Sequence, residues 1–408
     1  MFPKTAKDTA GVAGRQARPS AIAGYEDWPA HAGKGFHAPG SPTSRRLVET
    51  LGVPAFTPNP EYSVEWEVED NNVVTSKLTW QTGFGPRTSA WLVKPANATA
   101  PLPGILALHC HGGIKSHGAE RLVGIPAGAP GYDGGTDSQP GFGPVPPGLR
   151  AKLYGGRPLA TWLAGQGFAV LAHDAFMWGS RRFHLEPSPV RTAHALAGQE
   201  ALWLEAGVVP SAADRYNAAA ASHEETVAKA ATLLGSTVAG SVAHDDLAAL
   251  DVLASLPGVD AGRMGCIGFS GGGGRAMVLA ALSPQIRSVV VTCMMTTFQS
   301  LLPAYLDAHS WLLHSSGLSR LGEWPDVLAR SSAESVLVQY GLRDELFPEA
   351  GMRDADAHLR ATAPGRYTGS FWNEPHVFTP AMQEEAAHFL ASHLAAEQPS
   401  TASARTDS

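Results

Sequence analysis

The chain has 408 residues with 30 basic and 37 acidic side chains, which gives a formal net charge of −7. Hydrophobic residues make up 44% of the chain and charged residues 16%, so a largely disordered protein is excluded. The acidic balance argues against a nucleic-acid partner, because proteins that bind phosphate backbones present a basic face. No run of 18 apolar residues is present, so no membrane-spanning helix and no membrane partner are expected.

The cysteines and the N-terminal residues indicate in which cellular compartment the protein is expected. Cys110, Cys266 and Cys293 lie inside apolar runs and form no Cys-x-x-Cys pair, so neither a disulfide framework nor a zinc or dithiol site is expected. The N-terminal stretch carries positive charge but lacks the apolar core of about 7–15 residues that a secretory signal has. A cytoplasmic location is therefore the expectation.

The ends of the chain differ in composition from its middle. Residues 1–45 are rich in Gly, Pro, Ala and Ser and predict a flexible arm, and residues 396–408 predict a disordered tail. Between them we expect one domain over residues 46–395, although the length alone suggests two or three. Two stretches, about 115–150 and 180–240, are longer than normal connections, and the second has a helical, Ala-rich pattern. We interpret both as lid-like insertions.

Hydrophobic patterning predicts antiparallel strands followed by strands that alternate with helices. The antiparallel strands are expected at Tyr62–Val68, Val73–Trp80 and Ala90–Val93. Short apolar runs predict further strands, most of them buried on both faces, at Gly104–Leu108, Phe168–Ala172, Met264–Gly268, Ser288–Val291, Ser335–Gln339 and Arg366–Phe371. Helices are expected at Pro158–Gly165, Ala243–Leu256, Gly272–Ser283 and Pro380–Ala395. This alternation predicts an α/β fold with a mostly parallel, doubly wound sheet and helices on both faces.

The strongest chemical motif is Gly268-Phe269-Ser270-Gly271-Gly272, directly after an apolar strand and directly before a helical run. A bare Gly-x-Ser-x-Gly is weak in a chain with 44 glycines, but this position makes it specific. A serine on a sharp strand-to-helix turn needs neighbours with almost no side chain, which Gly268 and Gly272 provide. Ser270 is therefore the candidate nucleophile. The alternative is a glycine-rich turn with an idle serine.

A serine hydroxyl needs a base to take its proton and a carboxylate to orient that base. On a turn of this kind both partners follow the serine along the chain. Asp344 stands just past an apolar strand, where parallel sheets place functional groups, so it is the candidate acid. Glu345 is the neighbouring alternative, and Asp354 and Asp356 lie further out on an expected helix.

The candidate base is His376, in the loop between the last predicted strand and the closing helix. Helical patterns, in which a packed or surface histidine is the more common outcome, hold His358, His388 and His393. With Ser270 and Asp344, His376 gives the order serine, acid, histidine, each at the carboxyl end of a strand. This joint placement is more specific than any one of the three residues.

A tetrahedral oxyanion would need two backbone N–H donors. One donor should belong to the residue after the nucleophile, which is Gly271. The other should come from the loop after the first buried strand, where His111-Gly112-Gly113 follows. We assign the second donor to Gly113, with Gly112 and Ile114 as alternatives, because a one-residue shift leaves the pattern unchanged.

Taken together, these residues resemble the α/β-hydrolase superfamily, nearest to its bacterial acetylxylan-esterase-like and dienelactone-hydrolase-like members. The resemblance covers about Tyr62 to Leu394. It rests on His111–Gly113, Ala172–Arg181, Asp245–Arg263, Gly268–Gly272, Gly341–Asp344 and His376. The resemblance implies an α/β-hydrolase fold and a serine hydrolase that cleaves a carboxylic ester of a small molecule through an acyl-enzyme.

A short-chain acyl or acetyl ester is the expected substrate, because no strongly apolar lid for a triglyceride is evident in the sequence. The alternatives are a peptidase or lyase that uses the same triad, and a non-catalytic binding protein of the same fold. The binding protein would carry a broken triad, whereas Ser270, Asp344 and His376 are all present. Trp178 and Trp372, each near the carboxyl end of a predicted strand, are the candidate pocket walls.

Two further patterns bear on whether the protein binds a metal or a cofactor. Histidines and an acid that could suggest zinc are His109, His111, His117, His173 and Asp174. We interpret them as bracing a loop and filling the core, so no metal is expected. No Gly-x-Gly-x-x-Gly in a dinucleotide-binding position and no Gly-Lys-Ser/Thr is present, so no cofactor is expected either.

Overall fold

In a computed structural model of the protein, the described residues are 18–38, 42–130, 138–139, 142–302 and 304–395. The strands in these ranges are β1 (Tyr62–Asp70), β2 (Val73–Trp80), β3 (Thr88–Pro95), β4 (Leu102–Leu108), β5 (Ser138–Gln139), β6 (Gly143–Pro144), β7 (Ala169–His173), β8 (Val259–Phe269), β9 (Ile286–Thr292), β10 (Ser335–Gly341) and β11 (Tyr367–Trp372). The helices are α1 (Trp28–Ala32), α2 (Pro42–Leu51), α3 (Pro147–Tyr154), α4 (Leu159–Gly165), α5 (Val190–Glu205), α6 (Ala212–Leu233), α7 (Val238–Ser255), α8 (Gly271–Leu282), α9 (Phe298–Leu301), α10 (Trp324–Ala329), α11 (Glu349–Thr362) and α12 (Pro380–His393).

A nine-stranded sheet organises the fold, in the order β1-β2-β3-β7-β4-β8-β9-β10-β11. The pairs β1–β2, β2–β3 and β3–β7 are antiparallel, and every neighbour from β7 to β11 is parallel. Parallel neighbours need crossover connections, which here carry helices to both faces of the sheet. The predicted α/β fold with a mostly parallel, doubly wound sheet is confirmed, and β1 and β11 are its edge strands.

The buried strands are apolar throughout because both of their faces are covered. Along β4, Leu106 and Leu108 belong to the apolar cluster that includes side chains of α7 and α8. Ile105 and Ala107 belong to the cluster that includes side chains of α4 and α12. This alternation follows the two-residue period of a strand, so consecutive side chains bury against opposite layers of helices.

Residues 18–38 correct the prediction that residues 1–45 form a flexible arm. Tyr25 and Trp28 are fully buried, and they pack in a third apolar cluster with side chains of α6 and α7. The hydroxyl of Tyr25 donates to the carbonyl of Arg181. Two aromatic residues in a Gly- and Pro-rich stretch have no periodicity, so the sequence pattern does not reveal this docking. Outside the described residues lie the rest of the predicted arm and the predicted tail, 1–17, 39–41 and 396–408.

The two predicted insertions contain different structures. The second insertion consists mainly of α5 and α6, which pack against each other; α5 is mostly exposed, whereas α6 buries one face. In the first insertion the described parts include a short 3-10 helix, Ala119–Leu122, the small β5–β6 ribbon and α3. The helical pattern predicted for the second insertion is thus present in the structure.

Two adjacent carboxylates of α7 form buried ion pairs. Asp245 lies 2.9 Å from Nε of Arg181, and Asp246 lies 2.6 Å from Nη2 of Arg275. Burial by itself raises the pKa of Asp245, but the Arg181 charge and a hydrogen bond with His244 lower it to about 2. Each pair links α7 to another segment of the chain, so the pairs help to fix the position of this helix.

We expect the free energy of unfolding to fall as the pH drops from about 4 towards 2. A carboxyl with a pKa of about 2 in the folded chain and about 3.9 in the unfolded chain stabilises the fold above the second value and loses that effect below the first. For Asp245 the contribution is on the order of 2 kcal/mol. Asp245→Asn should cost about 3 kcal/mol at pH 7, because it leaves Arg181 buried without a counter-charge.

Urea unfolding of the wild type and of Asp245→Asn at pH 7, 4 and 3 measures both effects. The variant should lose less stability than the wild type over this range. The exposed Glu205 supplies the control, since Glu205→Gln should follow the wild type at every pH. Equal pH dependence in Asp245→Asn and the wild type would contradict the prediction.

Candidate active site

Ser270 lies on the turn between β8 and α8, with a backbone φ of 56° and ψ of −129° that a side-chain-bearing residue rarely adopts. Its N–H donates to the Thr292 carbonyl at 2.8 Å, and its carbonyl accepts from the Gly273 N–H at 2.7 Å. A Cβ on Gly268 would stand 2.0 Å from the Gly272 carbonyl oxygen. The turn therefore closes only with glycine at position 268, as the sequence predicts.

The loops that follow β10 and β11 bring Asp344 and His376 to Ser270. Nε2 of His376 lies 2.8 Å from Oγ of Ser270, and Nδ1 of His376 lies 2.6 Å from Oδ2 of Asp344. The side chain of Asp344 is 0% exposed and that of His376 is 20% exposed. The other carboxylate oxygen of Asp344 accepts the N–H of Leu346 at 3.0 Å, which fixes the plane of the carboxylate. The three predicted residues thus form one hydrogen-bonded chain.

The alternative acids and histidines have other partners or positions. Glu345 is exposed although it follows Asp344 directly. The carboxylate of Asp356 accepts hydrogen bonds from Arg360 at 2.9 Å and from Tyr367 at 2.7 Å. His358 lies on α11 and pairs with a carboxylate of α10. None of these contacts leads to the Ser270 turn.

The loop after β4 approaches this turn through His111, which corrects the assignment of the second N–H donor to Gly113. The N–H of Gly113 donates to Nδ1 of His111 at 3.1 Å, and that of Ile114 donates to the His111 carbonyl at 3.4 Å. Both groups are therefore engaged within the loop, because the His111 ring folds back onto its own turn. The backbone nitrogen of His111 lies 3.1 Å from the position that a Cβ on Gly271 would occupy. In the described part of the chain, neither His111 N–H nor Gly271 N–H has an acceptor.

A buried arginine holds the same loop from below. The guanidinium of Arg121 donates to the main-chain carbonyls of Cys110, His111, Ile114, His117 and Gly118. A Cβ on Gly112 would stand 2.5 Å from Nη1 of Arg121, so the guanidinium occupies the space that a side chain at position 112 would need. Apart from these carbonyls, the partner of Arg121 among the described residues is the Cys110 thiol, at 3.4 Å. The arginine charge thus faces main-chain dipoles next to the site.

The two tryptophans predicted to line a pocket are placed differently by the structure. Trp178 is only 1% exposed, and its indole N–H donates to the Ile114 carbonyl at 2.9 Å, so it supports the loop from the interior. The Trp372 indole N–H donates to Glu385 of α12 at 3.2 Å, so this ring packs against the closing helix. A position near the carboxyl end of a strand predicts where a residue lies in the fold. The direction of the residue's side chain depends in addition on its exact place along the chain, which the pattern does not determine.

The segment after α9 supplies a wall that the sequence analysis did not select. Cδ1 of Leu312 lies 3.1 Å from the position that a Cβ on Gly271 would occupy. The preceding residue, Trp311, is 43% exposed. Its N–H donates at 3.0 Å to Glu224 of α6, a residue that the sequence analysis also missed. No periodic pattern marks this segment, and these contacts join residues far apart in the chain.

The candidate zinc residues have partners of their own. Nε2 of His173 lies 2.9 Å from Asp246, and Nδ1 of His109 lies 3.0 Å from the Cys110 carbonyl oxygen. Within the described ranges, no group of three or more His, Cys, Asp or Glu side chains is arranged to bind a metal ion. In the same ranges, every helix is too short or too polar to cross a bilayer.

Comparison with known proteins adds to this geometry. YtaP of Bacillus subtilis (strain 168), a protein named as a hydrolase, is 23% identical over 353 residues, which cover 85% of this chain and 97% of that protein. The glucuronoyl esterase from Solibacter usitatus superposes with a TM-score of 0.56 at 14% identity, covering 86% of this chain and 92% of the other. For acetyl xylan esterase 1 from Thermoanaerobacterium sp. JW/SL YS485 the TM-score is 0.50 at 15% identity, with 92% and 96% covered.

These two solved structures share the fold. The match to the Dienelactone hydrolase family extends over residues 155–401, which is more than half of the chain and includes Ser270, Asp344 and His376. The resemblance predicted from the sequence is thereby confirmed. The protein is a member of the dienelactone hydrolase family, within the α/β-hydrolase superfamily.

Proposed function

We propose that this protein is a serine esterase that hydrolyses a carboxylic ester of a small molecule through an acyl-enzyme. The observation that carries the proposal is the position of His376, 2.8 Å from the Ser270 hydroxyl and 2.6 Å from the Asp344 carboxylate. Ser270 attacks the ester carbonyl while His376 takes its proton and then returns it to the leaving alcohol. Asp344 orients the imidazole and stabilises its protonated form.

The N–H groups of His111 and Gly271 are the proposed donors to the oxyanion. They lie on facing segments, and both are without an acceptor among the described residues. Gly271 also begins α8, so the positive end of the helix dipole adds to the stabilisation of negative charge. A water molecule, activated by His376, then attacks the acyl-enzyme and releases the acid.

A short-chain acyl group, such as acetyl, is the proposed acyl part of the substrate. Cδ1 of Leu312 lies 3.1 Å from the position that a Cβ on Gly271 would occupy, so a bulky apolar side chain stands next to the residue that follows the nucleophile. An ester substrate also agrees with the names of the two solved relatives, a glucuronoyl esterase and an acetyl xylan esterase.

A fluorophosphonate probe followed by peptide mass spectrometry tests the nucleophile, and a series of p-nitrophenyl esters with graded acyl length tests the substrate. We expect a single label on Ser270 and the highest kcat/KM for acetyl to butyryl esters. Matched p-nitroanilides test for peptidase activity and should react far more slowly. Absence of the label, or faster cleavage of the anilides, would overturn the proposal.

A further inference from the structure

We infer that Glu224, on the inserted helix α6, is a positioning residue for the loop that carries the proposed His111 oxyanion donor. The inference rests on the proposed function and gives the second insertion a part in it. Glu224 does not reach Ser270 or a substrate; it acts through the His111 side chain. Its carboxylate, which is only 8% exposed, makes three contacts, with Lys115, His111 and Trp311.

One face of α6 binds the loop at three successive positions. The side-chain oxygen of Asn217 accepts the backbone N–H groups of Lys115 and Ser116, at 2.8 and 2.9 Å. The carbonyl of Ala220 accepts from Nζ of Lys115 at 3.5 Å. Glu224 binds the same Nζ, in a buried ion pair. The spacing of three and then four residues puts these groups on one side of the helix, so α6 is aligned along the loop.

The second partner of Glu224 on the loop is His111, whose Nε2 lies 3.1 Å from the carboxylate. Nδ1 of the same ring accepts the Gly113 N–H at 3.1 Å, so this nitrogen carries no hydrogen. The proton must then be on Nε2, where it is donated to Glu224. Burial lowers the pKa of His111 although Glu224 raises it, which agrees with a neutral ring. Glu224 thereby stabilises the tautomer in which Nδ1 accepts the Gly113 N–H and the ring holds the 111–113 turn.

The other oxygen of Glu224 connects the segment that holds Trp311 and Leu312 to the loop that holds His111. It accepts the N–H of Trp311 at 3.0 Å, and the next residue, Leu312, contacts the Gly271 turn. A single carboxylate therefore ties His111 and the Leu312 wall to one helix. Without it, both segments beside the nucleophile would lose a fixed point, and the His111 N–H would be held less firmly in the direction of the oxyanion.

A purely structural role of the Lys115–Glu224 pair makes a different prediction, and the test separates the two. Replacing Glu224 alone would leave Lys115 buried without a counter-charge, so the main variant is Lys115→Met/Glu224→Leu, which removes both charges with similar volumes. The control is Glu225→Gln on the same helix, where Glu225 is half exposed and pairs with Arg191 at the surface.

We expect the double variant to fold and its kcat for a p-nitrophenyl ester to fall on the order of 10- to 100-fold, less than the loss from removing an oxyanion donor outright. KM should change by less than about 3-fold, because the loop acts on the transition state. His111→Asn, whose side-chain oxygen can still accept the Gly113 N–H but cannot reach Glu224, should lose a similar factor. Combining the changes should add little, since both interrupt one contact.

Selective ¹⁵N labelling of histidine gives a second readout that does not depend on turnover. At pH 7 the His111 signal, assigned by its loss in His111→Asn, should show a protonated Nε2 and an unprotonated Nδ1. In the double variant the form protonated on Nδ1 should gain population, because Nε2 loses its acceptor. A merely structural ion pair would leave the tautomer and kcat unchanged once the variant folds.

The outcomes for the two proposals are distinguishable. Wild-type protein that neither hydrolyses an ester nor reacts with the fluorophosphonate probe overturns the proposed function and the inference with it. Active wild-type protein, together with a folded double variant of unchanged kcat, overturns the inference alone. A wild-type His111 ring protonated on Nδ1, or a loss of kcat in Glu225→Gln as large as in the double variant, overturns it as well.

Discussion

Ser270→Ala is expected to lower kcat for ester hydrolysis by about 10⁴- to 10⁶-fold while leaving KM within a few-fold of the wild type. The factor is of the order found when a triad nucleophile is removed, and the remaining rate comes from binding and the oxyanion donors. Oγ of Ser270 is the atom that His376 faces at 2.8 Å, and alanine offers nothing in its place. Single-turnover and steady-state kinetics on the preferred p-nitrophenyl ester measure the loss.

Stability provides the control for this variant, because the turn is strained. Ser270 holds a φ of 56°, a value that glycine adopts at almost no cost and that other residues adopt at a cost of about 1 kcal/mol or more. Ser270→Gly should therefore be as inactive as Ser270→Ala, and it should unfold at a higher urea concentration than Ser270→Ala. Substantial activity in either variant would remove Ser270 from the mechanism.

Asp344→Asn is expected to lower kcat by about 10⁴-fold with little change in stability. Oδ1 of Asp344 accepts the Leu346 N–H at 3.0 Å, so an asparagine would keep its oxygen there and turn its NH₂ group towards His376. Nδ1 of His376 would then have to accept a hydrogen bond, and the ring proton would move to Nε2. In that tautomer Nε2 cannot take the Ser270 proton.

The neighbouring carboxylate provides the matched control for Asp344. Glu345 is the next residue in the chain and is exposed, so Glu345→Gln should retain kcat within about 2-fold. The pair also tests the assignment of the acid, which the sequence left open between these two positions. If Glu345→Gln were the more damaging change, the role of Asp344 as the orienting group would be wrong.

Most of the sheet could be predicted because local chemistry determines it. The apolar run Ser335–Gln339 forms most of β10, which is buried along its whole length, and the glycines around Ser270 are required by main-chain contacts as close as 2.0 Å. Such constraints act between residues that are close in the chain, so they can be recognised in the amino-acid sequence. The positions of Asp344 and His376 after the carboxyl ends of two strands follow from the same pattern.

The surroundings of the nucleophile could not be predicted in this way. Gly113 was assigned as a donor because a glycine after a strand allows close approach, but the His111 ring takes its N–H at 3.1 Å. Glu224 is 113 positions away from His111 in sequence and meets it only because α6 packs over the loop. Tyr25 is buried by similarly distant partners. These contacts depend on how separate segments dock, which no local period encodes.

The outer strand of the sheet has a consequence for how the molecules behave in concentrated solution. Among the described residues nothing pairs with the outer side of this nine-residue strand, and such an edge offers backbone groups that a second copy of the chain could continue. Here that edge, β1, carries four exposed carboxylates, at Glu65, Glu67, Glu69 and Asp70, of which Glu65 pairs with Lys77 at 3.1 Å. Two such edges approaching side by side would bring carboxylates of like charge together. Near neutral pH this repulsion disfavours pairing of two copies through β1.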